Sequence, residues 1–226
     1  MDTGKLIEHL AEADGPVRPL AHPWRRTAAW LAIAIPYVAL VVFVVSPRSD
    51  LVAKISESQF LIEQAAALAT GIAAAAAAFA TVIPGYDRKV LLLPALPAAV
   101  WLGSLGEGCV QEWIRFGPDG LSLELDWFCF PAIVLVGAIP AIAMAVMLRR
   151  GAPLTPHATT ALGGLAAAGI GNFGLRLFHP QDASLMVLVW QLGAVCVLTA
   201  MAAWAGRHLL NWRSIIATGR RPALMR

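Results

Sequence analysis

Charge is what this sequence holds least of: of 226 residues only 14% are charged, where a soluble domain carries about 25%. Polar stretches are scarce as well. After residue 60 the only long one is residues 107–130. With 58% apolar residues and a mean hydropathy of +0.69, this scarcity excludes a soluble fold and requires a chain that crosses a membrane repeatedly. Histidine is rare, and none lies centrally in an apolar run, so a bis-histidine haem has no ligands. A glycine-rich phosphate loop is missing, and of charged or strongly polar groups near span centres, or residues that break a helix, only Asn172, Gln191 and a few prolines qualify. Enzyme chemistry fits poorly on these grounds, and no cofactor is expected. A small-molecule or ion carrier and a purely structural membrane subunit remain as alternatives to a signalling or interaction protein. The net charge of +3 and pI near 9.0 do not argue for nucleic acid, because the basic residues flank apolar spans.

What is present reads as an all-α membrane protein, a six-transmembrane-helix bundle with a short cytoplasmic N-terminal helix. Residues 1–24 form the N-terminal segment, 25–206 the transmembrane domain and 207–226 a basic tail. The spans fall at about 27–46, 60–84, 90–106, 128–148, 158–178 and 185–206. Trp24, Arg25 and Arg26 make an interfacial anchor ahead of the first span. The alanine run 73–78 marks the second as a closely packed helix, and Glu63 near its start is expected to reach the interface. Gly163, Ala167 and Gly171, with Gly164 and Ala168 beside them, give the fifth span a face that approaches a neighbour closely, and Asn172 is expected to donate between helices. Thirteen of the 17 basic residues fall on the side of the termini, against Arg48, Lys54, Arg115 and Arg176 opposite, so both termini are expected in the cytoplasm.

At the N-terminus, Asp2 and Thr3 are suited to cap a short helix running through Ala13, with Leu6, Ile7 and Leu10 along one stripe. Two readings stand. A stripe of one or two turns arises easily by chance, which favours a solvated, frayed terminus. The sharper reading is an amphipathic helix that enters a partner's groove.

Cys109 and Cys129 bracket the polar segment, at facing ends of consecutive antiparallel helices and on the external side. A disulfide needs Cα atoms within about 7 Å. Closing a loop of this size contributes roughly 3 kcal/mol. A plain staple is the commoner outcome for such a pair; a redox or metal sensor requires reduced, accessible thiols or a labile bond. His179 and Asp182 fall on the same side, as possible auxiliary ligands for a soft metal. Cys196, inside an apolar run, reads as a small buried residue.

Several blocks together resemble the NrsF family of bacterial membrane anti-sigma factors. They are Leu6, Ile7 and Leu10 with Pro16, Val17 and Arg18; residues 23–26; residues 106–109; residues 149–153; and above all Leu177, Phe178, His179 and Pro180 followed by residues 182–186. The resemblance implies a six-helix protein of the bacterial inner membrane that sequesters an extracytoplasmic-function sigma factor through its cytoplasmic N-terminus. It also implies that oxidants or heavy metals act from outside through a cysteine pair, here matched to Cys109 and Cys129. Under it, Leu6, Ile7 and Leu10 become the sigma-binding stripe. The family often carries a histidine where this chain has Gln191, which weakens a metal role for that helix.

Overall fold

The fold, taken from a computed structural model, is described for residues 2–5, 7–8, 20–117, 129–151, 155–179 and 185–209. Within these residues the chain is all-α, with no strand. In order come α1 (Pro23–Val45), α2 (Leu51–Ile55), α3 (Ser58–Ala80), a 3-10 helix at Arg88–Leu92, α4 (Ala95–Phe116), α5 (Cys129–Leu148), α6 (Pro156–Phe178) and α7 (Leu185–Leu209). Five stretches are long and apolar enough to cross a membrane: Pro23–Val45, Ser58–Ala80, Arg88–Arg115, Pro131–Leu148 and Pro156–Phe178. In α7 the apolar stretch found is Leu192–Ala205. Residues 3–5 and 7–8 are helical, whereas Leu6, Leu10, the turn and alternating leucines at 118–128, Asp182 and the tail beyond 209 lie outside the described residues.

Helix boundaries follow local chemistry. Pro94 precedes α4 and Pro97 sits in its first turn, where amides have no intrahelical acceptor and a missing donor costs little. The helix then continues to Phe116, so Glu107, Cys109 and Trp113 are helical. Gly117, at φ 65°, ends it in a conformation that glycine adopts without a Cβ clash.

Successive long helices run antiparallel, and α6 is the hub, packed against α1, α3, α5 and α7. Its small residues serve three neighbours rather than the single face expected from the sequence. A Cβ on Gly169 would stand 3.0 Å from Ala67 O and from the backbone of Gly71 on α3. One on Gly171 would stand 3.1 Å from Ile133 O on α5, and one on Gly164 would meet Ala202 on α7 at 2.8 Å. Close approach of backbones is how helices associate where lipid removes the hydrophobic incentive. Most alanines of α3 are buried, and the run 73–78 is so on every side of the helix.

Helix α1 is fastened differently. Three side chains reach main-chain oxygens of α5: Arg26 Nη2 to Met147 O at 2.6 Å, Trp30 Nε1 to Pro140 O at 2.8 Å and Tyr37 Oη to Leu135 O at 2.8 Å. Each such rung contributes about 1 kcal/mol.

Two expectations are corrected here, and a third gains detail. Asn172 is buried as an interhelical residue would be, but its amide folds back one turn and donates to Ala168 O within its own helix at 3.0 Å. Cys196 is exposed, on the outer face of α7 with Val197 and Met201. Apolar character along α7 says nothing about which face packs when lipid is the surrounding solvent. Arg26, expected as part of an interfacial anchor, is packed as well: it is only 7% exposed, with its guanidinium 4.5 Å above the Phe79 ring.

Candidate functional site

The antiparallel order gives the bundle two ends. One, the Arg48 pole, gathers the C-terminal ends of α1, α4 and α6 with the N-terminal ends of α3 and α5. Cys109, Cys129 and His179 all belong to it by position in their helices.

Ser46 leaves α1 with φ 78° and Pro47 bars its continuation, which turns Arg48 back toward α6. The Arg48 backbone N–H donates to Leu177 O at 3.1 Å, and its Nη1 lies 3.5 Å from His179 O. The same guanidinium grips both oxygens of Asp50, at 2.6 and 2.7 Å, a fork geometry that fixes orientation as well as charge. Those hydrogen bonds hold the Asp50 carboxyl down from 3.8 to about 2, outweighing the smaller opposing effect of desolvation. One residue thus clasps the end of α1 to the end of α6.

Deeper in the same pole, Arg176 of α6 donates through Nη2 to Glu63 Oε2 of α3 at 2.9 Å, and both residues are buried. The Arg176 guanidinium also lies 5.7 Å from the Phe60 ring centroid. The expectation that Glu63 reaches the interface is therefore corrected: an arginine at its depth offers a stronger attraction than a stretched exit to water. Gln59, one turn earlier on α3, spans the gap to α4. Its Nε2 is 3.4 Å from Glu63 Oε1 and 3.4 Å from Ser104 O.

Cys109 is 8% exposed. It continues, at helical spacing, the buried stripe of Trp101 and Leu105 by which α4 packs beside Ala66 and Ala67 of α3. Oxidant or metal reaches a thiol so placed only when the groups covering it shift. Cys129 opens α5, and its side chain lies outside the described residues. His179 caps the C-terminal end of α6, its N–H donating to Leu175 O at 2.8 Å. Among the described residues no group of three His, Cys, Asp or Glu is arranged to hold a metal ion. Of the proposed partner-binding stripe, Ile7 is described and is 63% exposed.

Reading the sequence missed the Glu63–Arg176 pair and the Arg48 clasp. A signal for the first was present: an arginine within an apolar helix needs an acid at its own depth, and antiparallel order puts Glu63 there.

A protein-family model described as NrsF, Negative regulator of sigma F, matches residues 10–212. No curated protein and no solved structure matches the chain.

Proposed function

This chain belongs to the NrsF family, negative regulators of sigma F, and from that premise we propose that it is a membrane anti-sigma factor of the bacterial inner membrane. It holds an extracytoplasmic-function sigma factor through its N-terminus and releases it when oxidant or heavy-metal stress acts on Cys109 and Cys129. The family match over residues 10–212 carries the reading. The long apolar helices support a bilayer setting, with α7 as the sixth span and both termini in the cytoplasm on the distribution of basic residues.

In this reading Leu6, Ile7 and Leu10 enter an apolar groove of the sigma factor, and the high exposure of Ile7 is consistent with an apolar side chain kept for a partner. Cys109 is the input. Its burial, one turn beyond Leu105 on α4, disfavours modification in the resting packing, so the modified thiol favours a second arrangement. Coupling to the N-terminus is then the difference in free energy between two packings of the bundle. His179 and Asp182 stand as auxiliary ligands for a thiophilic metal.

Copurification tests the partner. Full-length protein extracted from membranes should bring down a sigma factor, and the Leu6→Asp/Leu10→Asp double variant should lose it while remaining at wild-type abundance in the membrane. Equal recovery by both proteins rules out the groove-binding helix.

A further inference from the structure

The opposite end of the bundle, the Arg26 pole, is built of cations. Arg25, Arg26, Arg88, Lys89, Arg149 and Arg150 lie there, and from residue 20 onward Asp87 is the single described acid among them. Arg26 is the unusual member. It is 7% exposed, its Nη2 is committed to Met147 O at 2.6 Å, and its plane is packed over Phe79. Its other terminal nitrogen, Nη1, is buried with no hydrogen-bond partner. Beside it stands Arg150, exposed just past the end of α5 and repelling it with a like charge.

A cation held in place, short of one acceptor and facing a second cation, is two deficits with a common remedy. An oxyanion with several acceptor oxygens bridges Arg26 Nη1 and the Arg150 guanidinium and cancels their repulsion at once. Guanidinium suits phosphate particularly, since its fork matches two phosphate oxygens. Depth points to the source. Arg26 lies in the first turn of α1, two residues from Trp24, which is 52% exposed as expected of an aromatic at headgroup level. Basic recesses between helices at that level take anionic lipid phosphates.

We propose that Arg26 and Arg150 bind the phosphate of an anionic phospholipid at the junction of the start of α1 with the end of α5, where Arg26 Nη2 and the Arg150 backbone N–H both donate to Met147 O. The neighbouring Arg25 and Arg149 add long-range attraction.

The test uses the purified full-length protein in detergent, with phosphatidylglycerol, phosphatidylcholine and inorganic phosphate as probes, and lipid retention read by native mass spectrometry. Phosphatidylglycerol should be retained at least about tenfold more tightly than phosphatidylcholine. Arg150→Gln, at an exposed position that leaves Arg26 packed, should abolish most of that preference, and Arg26→Lys, which keeps the charge but removes the unpartnered Nη1, should reduce it. The control Arg88→Gln/Lys89→Gln removes more charge from the same pole and should keep it. Displacement of the lipid by millimolar inorganic phosphate assigns the site to phosphate as such; resistance to displacement assigns it to the lipid. No preference in the wild type, or equal loss in the Arg88/Lys89 control, overturns the proposal, the latter because attraction is then general to the basic pole.

Discussion

Glu63 and Arg176 meet at 2.9 Å between α3 and α6, with side chains only 4% and 9% exposed, so neither charge is solvated by water. A pair of this kind contributes little net stability when intact, since desolvation offsets attraction, but losing one partner strands the other.

Glu63→Ala or Arg176→Ala should each destabilise the bundle by about 3–5 kcal/mol. The double replacement Glu63→Leu/Arg176→Met should recover most of that loss, because no charge is left buried. Thermal unfolding in detergent reads the cycle. Additive losses in the double variant argue against the pairing.

Glycine substitutions should divide by what stands opposite. Gly169→Val drives a side chain into the backbone of α3, where atoms lie 3.0 Å from the Cβ position, and should cost about 1–3 kcal/mol or more. A Cβ on Gly193 meets nothing within 4 Å, so Gly193→Ala should be neutral or stabilising by about 0.8 kcal/mol through helix propensity. Equal effects at the two positions would contradict the packing of α6 on α3.

The Arg48–Asp50 clasp has a defined pH window. Its carboxyl is depressed from 3.8 to about 2, so its stabilising contribution is complete above the unfolded value and is lost as pH falls through about 2. Carboxyl carbon chemical shifts should therefore show Asp50 still ionised at pH 3. Asp50→Asn should loosen the junction of α1 with α6 at neutral pH, seen as faster hydrogen exchange at the Arg48 amide. An ordinary carboxylate titration for Asp50 would remove the clasp.

Cysteine replacement separates sensor from staple. Cys109→Ser and Cys129→Ser should each hold sigma-factor release at one level regardless of oxidant or cadmium, with the protein still folded. An unchanged stress response in both variants rejects the sensing role. Loss of thermal stability in both without a change in response makes the pair a staple.

A nitroxide attached at Cys196 should report the oxygen accessibility of a lipid-facing site, because that thiol is exposed on α7. Low accessibility to oxygen would return Cys196 to the core.

Sequence made the helical class, the antiparallel order and the close packing of α3 and α6 legible, because span length, loop charge and small residues are local properties. Rotation about each helix axis was not legible. In water an apolar stripe marks the buried face, but α5 is apolar around its whole circumference, and lipid-facing and core-facing residues read alike. That is why the exposure of Cys196 and the inward pairing of Glu63 are not legible in the sequence, whereas Asn172 lies on a packed face and differs only in folding back on its own helix. Arg26 differs in another way: an arginine beside a tryptophan at a span's start reads as an anchor, and only the neighbouring Phe79 and Met147 carbonyl show that it is packed as well.

The three rungs that fasten α1 to α5 all end on carbonyl oxygens. Every residue type supplies a carbonyl, so the receiving helix is free to drift: Met147 and Leu135 can be exchanged over evolutionary time without breaking a rung, whereas Arg26, Trp30 and Tyr37 cannot. Mutational tolerance along this seam should be one-sided, with the restraint written into the helix that follows the N-terminal segment and almost none into its partner.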